Sequence, residues 1–126
     1  MADLLLVDND ARLVELYLSF LRRRGHVVRG ATSFQEVRSA LAERRPELLL
    51  SDLELGSERG ASELAALARA GELPPTLVVS GYLDRALEEE LAALPAVVGT
   101  LAKPFDLARL EAKIAECLER SRAEAP

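Results

Sequence analysis

Four chemically useful side chains stand just past short apolar runs. Leu4-Leu5-Leu6-Val7 ends in Asp8-Asn9-Asp10, Leu48-Leu49-Leu50 in Ser51-Asp52, and Leu77-Val78-Val79 in Ser80-Gly81. The run from Ala96 to Leu101, interrupted by Gly99, ends in Ala102-Lys103-Pro104. If the first and third runs are neighbouring strands, Asp8 and Asp52 sit side by side. Crowded carboxylates repel, and a hard divalent cation such as Mg²⁺ relieves that repulsion. Ser80 and Lys103 would add a hydroxyl donor and a positive charge, the groups that phosphoryl oxygens require. Any of these residues alone is ordinary at a strand end or turn. The constellation is the signal, because a suitable polar group follows each of four strands.

The elements that must position these groups alternate in period. The continuous apolar runs, with His26-Val27-Val28 as a weaker fifth, suit strands buried on both faces. Between them lie stretches with helical spacing. Leu13, Tyr17, Phe20 and Leu21 predict a first helix closed by Arg22-Arg23-Arg24-Gly25. Phe34, Val37 and Leu41 predict a second, with Ser33 as N-cap and Glu36 completing a capping box. Leu64, Leu67 and Ala68 give a third ending near Gly71, and Leu83, Leu87, Leu91 and Leu94 a fourth. Leu107, Leu110, Ile114 and Cys117 give a fifth, capped by Asp106. Five strand–helix repeats with connections too long for hairpins predict a parallel sheet covered by helices on both faces. Ligands of such sheets bind beyond the carboxyl ends of the strands, where the strand order reverses.

Composition narrows the function classes. The 126 residues make one domain, and 49% hydrophobic content with a net charge of -5 excludes disorder as the main state. A pI near 5.0 argues against direct nucleic-acid binding. The single cysteine excludes a disulfide framework and suits a reducing compartment. No apolar run approaches the ~20 residues of a membrane span, and Leu4 to Val7 is too short for a signal-peptide core. The expectation is a soluble, cytoplasmic domain over residues 1–120, with 121–126 a tail or the start of a linker.

From Asp3 to Leu118 the sequence resembles the receiver domain of bacterial two-component response regulators. Leu4 to Asp10 resembles the family's opening strand with its acidic pair, and Pro46 to Leu53 its phosphoacceptor strand. Gly60, eight residues after Asp52, matches the family's loop glycine. Thr76 to Gly81 matches the strand carrying the switch Ser or Thr. Lys103-Pro104-Phe105 matches a Lys-Pro-Phe whose proline bond is usually cis. The resemblance implies a doubly wound, flavodoxin/CheY-like α/β fold with five helices and strand order 2-1-3-4-5. It implies a signalling domain that turns over no separate substrate, with Asp52 accepting a phosphoryl group from a histidine kinase or phosphotransfer protein. Mg²⁺ would be held by Asp8, Asn9, Asp52 and the backbone carbonyl of Glu54. Lys103 and Ser80 would bind the phosphoryl oxygens. Partners would include a downstream effector or output domain and, through helices four and five, a second copy.

Three departures carry consequences. Asn9 stands where the family usually has an acid, which predicts weaker Mg²⁺ binding unless Asp10 or Glu54 compensates. Thr100 replaces the usual ring three residues before the lysine, so the common Ser–aromatic coupling cannot operate as such. Gly56 replaces a common proline, which predicts a more flexible loop up to Gly60. A second reading is a degenerate receiver that binds partners without phosphorylation. An enzyme reading, a haloacid-dehalogenase-like phosphatase with Asp8 as nucleophile, leaves Asp52 without a role. It also finds no strand ending in paired acids after Lys103. A flavin-binding reading fails because the loop after strand one is acidic where phosphate needs Gly and hydroxyls. His26 reads as a strand-edge residue, Cys117 as a core thiol, Arg22 to Arg24 as helix C-terminal cations, and Glu88 to Glu90 as a solvated face.

Overall fold

The computed structural model describes residues 2–55 and 58–124. Five strands, β1 (Asp3–Val7), β2 (Val27–Ala31), β3 (Leu48–Asp52), β4 (Thr76–Ser80) and β5 (Val97–Ala102), form one parallel sheet in the order β2-β1-β3-β4-β5. Helices α1 (Ala11–Arg23), α2 (Phe34–Glu43), α3 (Gly60–Arg69), α4 (Arg85–Ala92) and α5 (Leu107–Glu124) connect and follow them. The architecture is the five-stranded doubly wound one expected. One element has no counterpart in the sequence pattern: Glu54–Leu55 pairs antiparallel with Glu58–Arg59 as a short ribbon after β3. The expected flexibility at Gly56 lies outside the described residues, as do residues 125 and 126 of the expected tail. Helix α5 runs through the expected boundary at residue 120 as far as Glu124.

Side-chain alternation along the strands builds two cores, one on each face of the sheet. Leu4 and Leu6, Leu48 and Leu50, and Leu77 and Val79 pack under α1 and α5, against Val14, Leu18, Leu21, Leu110, Ile114 and Cys117. Leu5 and Val7, Leu49 and Val78 face the other way, against Phe34, Val37, Leu64, Leu67 and Leu91. Burying each such Leu or Phe contributes about 1.5–3 kcal/mol relative to leaving it exposed. That apolar sandwich fixes the strand ends on which the polar groups sit.

The fold departs from several local expectations. The buried stripe of α1 is Val14, Leu18 and Leu21, while Tyr17 and Phe20 flank it and Leu13 is half-buried. The reason lies on β2, where a Cβ on Gly30 would stand 2.5 Å from Val14 Cγ1 and 3.2 Å from Leu18 Cδ1. The missing side chain therefore draws that face of α1 inward. Ser33 caps α2, accepting from the Glu36 N–H at 3.2 Å. The Glu36 carboxylate, however, accepts from the N–H and hydroxyl of Thr32 rather than from Ser33. Helix α4 is shorter than its leucine spacing suggested. Asp84 caps it, accepting from the Leu87 N–H at 2.8 Å, so Leu83 precedes it and Leu94 follows it. Arg22 donates to the carbonyl of Val28, and Arg24 pairs with Glu111 at 3.2 Å, so these cations tie α1 to its neighbours.

Candidate functional site

Strand register builds the site as a staircase. Val7 lies opposite Ser51, so the next residues, Asp8 and Asp52, end adjacent strands at one level. Asp52 lies opposite Val79, which puts Ser80 one residue higher, and Ser80 lies opposite Ala102, which puts Lys103 one higher again. Asp8 and Asp52 are each 4% exposed, and Ser80 is 1% exposed. A buried polar group needs partners, and each has them. Asp8 Oδ1 accepts from the Asp10 N–H at 2.8 Å. Asp52 Oδ1 accepts from the Glu54 N–H at 3.1 Å, and its Oδ2 lies 3.0 Å from Lys103 Nζ. The Lys103–Pro104 peptide is cis.

Gly60 shows why the loop after β3 is shaped as it is. Its N–H donates to the carbonyl of Leu53 at 3.3 Å, and a Cβ there would stand 2.7 Å from Leu53 Cα. Backbone cannot retreat as a flexible side-chain tip can, so only glycine lets α3 start against the end of β3.

Electrostatics at the site are dominated by crowded acids. Burial pushes the Asp52 carboxyl up to about 7, as does a hydrogen bond with the Glu54 carboxyl, and Lys103 opposes both. Partial burial works against the Glu54 charge, but hydrogen bonds with Asp52, Ser80 and the Gly81 N–H outweigh it and lower its pKa. In the metal-free site the surroundings thus favour the neutral form of Asp52 and the charged form of Glu54. Lys103 is raised although burial disfavours its charge, because Asp52, Asp8 and Glu54 surround it. Burial raises the Tyr17 phenol, with the charges of Asp8 and Asp52 adding to it. The Tyr17 ring stacks on Phe105 with centroids 6.2 Å apart.

Among the residues expected to act, Asp8, Asp52, Ser80 and Lys103 are brought together at the strand ends. Asn9 is on the exposed loop beside them. Thr100 is half-buried on β5 and carries no ring toward Ser80. The oxygen-rich set of two carboxylates, an amide and a backbone carbonyl suits a hard cation. Among the described residues no three His, Cys, Asp or Glu side chains form a ready-made metal group. A cation here would therefore depend on the Asn9 amide, the Glu54 carbonyl and water as well as on the two Asp residues.

Sequence reasoning gave Glu54 a backbone carbonyl for the metal and a possible compensating charge, but not the hydrogen bonds its side chain makes. Its Oε1 accepts from Ser80 Oγ and from the Gly81 N–H, both at 2.9 Å. The one available signal was an acid two residues past Asp52. Arg59 was also missed. Its guanidinium donates to both carboxylate oxygens of Glu90 on α4, at 2.8 and 3.1 Å, so part of the Glu88 to Glu90 face is paired rather than merely solvated.

A parallel doubly wound sheet with acids, a hydroxyl and a lysine on its carboxyl edge is the arrangement of a receiver-type signalling domain. The model of the response regulator receiver domain matches residues 4–115, and the chain belongs to that family. It is 28% identical over 124 residues to the uncharacterized transcriptional regulatory protein YvcP of Bacillus subtilis (strain 168), covering 96% of this chain and 50% of that protein. The chain thus spans about half the length of the curated relative it matches. The CheY-like receiver domain protein of Methanospirillum hungatei JF-1 superposes with a TM-score of 0.86 at 21% identity, covering 97% of both chains. A response regulator protein from Burkholderia pseudomallei, solved with a phosphorylated aspartic acid, calcium ion and citrate, gives 0.78 at 26% identity. That match covers 96% of this chain and 71% of the other. No helix among the described residues is long and apolar enough to cross a membrane.

Proposed function

We propose that the chain is a phosphoacceptor receiver acting in the cytoplasm, with Asp52 as the phosphorylated residue. The observation that carries this reading is a buried Asp52 carboxylate 3.0 Å from Lys103 Nζ, level with a second buried acid, Asp8. The aspartyl phosphate in the Burkholderia relative supports it. An Asp52 oxygen attacks the phosphorus of a kinase or phosphotransfer-protein phosphohistidine. The new O–P bond forms as the P–N bond breaks, and the electron pair leaves on the imidazole. Lys103 balances charge on the phosphoryl oxygens, and the Ser80 hydroxyl donates to one of them. Asp8, Asn9, Asp52 and the Glu54 carbonyl would hold Mg²⁺, which when bound neutralises charge on the transferring group. Asn9→Asp adds one negative charge to that set and is expected to tighten Mg²⁺ binding; equal affinities in a titration would refute this.

Residues 1–120 form the receiver unit in this reading, and 121–126 lead toward whatever follows. The phosphorylated form signals to an effector or output domain and pairs with a second copy through α4 and α5. The test is amide NMR with beryllofluoride and Mg²⁺ on the wild type and Asp52→Asn. Shifts around Asp52, Ser80 and Lys103 that vanish in the variant are expected. A silent wild type at millimolar Mg²⁺ would overturn the reading in favour of a phosphorylation-independent binding module.

A further inference from the structure

Two donors at the end of β4, the Ser80 hydroxyl and the Gly81 N–H, are already taken by one atom, Glu54 Oε1. A serine hydroxyl has a single proton to give. Here Ser80 Oγ accepts from the Tyr82 N–H at 3.0 Å and spends its own proton on Glu54. A phosphoryl oxygen arriving on Asp52 would need that proton and would bring negative charge beside a carboxylate, so both cannot stay. The Glu54 side chain has somewhere to go. A cavity of about 330 Å³ adjoins Ser80, lined by Leu53, Glu54, Arg59, Tyr82, Leu87 and Glu90. Glu54 also has a mechanical partner, because the ribbon pairs it directly with Arg59, which grips Glu90 on α4. Thr100 supplies no ring to report on Ser80, so this ribbon is a physical connection from the site to α4.

We propose that the Glu54 carboxylate is an internal ligand of the phosphoryl-oxygen donors, and that its displacement on phosphorylation is passed through the Glu54–Arg59 ribbon pair to Glu90 on α4. This rests on Asp52 being the phosphoacceptor. In the unmodified protein Glu54 holds Ser80 and the Gly81 N–H as a phosphoryl oxygen would, and it must be expelled before that oxygen can bind. The ribbon then moves with Glu54, and the Arg59–Glu90 grip changes.

The experiment uses the full chain with Mg²⁺ present throughout, comparing wild type, Glu54→Gln, Glu54→Ala and Asp52→Asn by amide NMR. The backbone carbonyl of Glu54 survives in each of its variants, and Gln guards against any folding loss in Ala. Before beryllofluoride is added, the Gly81 amide should resonate upfield and exchange faster in Glu54→Ala than in wild type. Beryllofluoride should bind Glu54→Ala about tenfold tighter, the size of one hydrogen-bonded competitor removed. It should shift the Arg59 and Glu90 signals in wild type but not in Glu54→Ala. Equal affinity with an unchanged Gly81 amide overturns the internal-ligand proposal while leaving the phosphoacceptor intact. Absence of a beryllofluoride response in the wild type as well as in every variant overturns the phosphoacceptor reading, and the displacement with it.

Discussion

The two ends of the sheet treat charge in opposite ways. At the amino end, acids meet cations one for one near the surface. Asp3 pairs with Arg44 at 2.6 Å, and Glu47 reaches Arg122 at 3.5 Å while accepting from the Asp3 N–H. At the carboxyl end, Asp8 and Asp52 are buried with the more exposed Glu54 beside them, yet among the described residues the only ion pair these three make is that of Asp52 with Lys103. Water screens the first set, so its geometry matters little. Burial denies screening to the second, and its surplus negative charge is a standing cost in stability. Such a surplus is retained where a cation or a transferring group uses it.

The largest break in this comparison comes from removing the central acid. Asp52→Asn should abolish phosphoryl uptake from a small-molecule donor such as acetyl phosphate, read by intact mass. The same variant should be more stable than wild type at pH 8 without Mg²⁺, by about 1–2 kcal/mol in urea melts, because a crowded charge is gone. Uptake at the wild-type level would place the phosphoryl group elsewhere. Lower stability would mean that the Lys103 pairing outweighs the crowding.

Next in size is the backbone fit beside the site. Gly60→Ala forces a Cβ against Leu53 Cα and should cost about 1–3 kcal/mol, with disturbed amides at Leu53 and Glu54. A variant as stable as wild type would show that the loop after β3 has slack the packing does not reveal.

How far these features could be read in the sequence depends on what sets them. The staircase was legible because a strand buried on both faces is a continuous apolar run, and its first polar residue marks its end. Strand ends are local, and parallel pairing turns them into neighbours. The Glu54 side chain was not legible, because its direction depends on a ribbon of two-residue strands too short to carry any periodicity. The α1 face was misread by one residue because Gly30, on another element, decides how α1 lies. Glu36 chose Thr32 over Ser33 for a similar reason: both lie within its reach, and spacing alone does not separate them.

A finer contrast between the two ends is their response to pH. The Asp52 carboxyl has an ordinary value of 3.8 and is raised to about 7 in the fold. Between those values the folded chain binds more protons at this residue than the unfolded chain does. Stability rises with pH only where the unfolded state binds more, so here it falls. Glu54 is lowered from 4.5 and acts with the opposite sign, but only in the acid range below that value. Relative to Asp52→Asn, in which the opposing contribution of the lowered His26 cancels, the metal-free wild type should therefore lose stability from about pH 5 to about pH 7 and level off above. Saturating Mg²⁺, which favours the ionised acid, should flatten this difference. A stability difference from Asp52→Asn that rises over this interval would mean that the fold does not raise the Asp52 carboxyl.

The smallest effect belongs to the amino end and serves as the control. Arg44→Ala removes the Asp3 partner in a pair whose side chains are 51% and 25% exposed. Solvent replaces the guanidinium there, and exposed ion pairs contribute little because holding two long side chains together costs entropy. The melting midpoint of Arg44→Ala should match wild type, and its beryllofluoride response should be unchanged. A destabilisation comparable to that of Gly60→Ala would remove the contrast, because charge at both ends would then be structural. An Arg44→Ala protein that melts normally but responds weakly to beryllofluoride would show instead that the strands carry a signal from end to end.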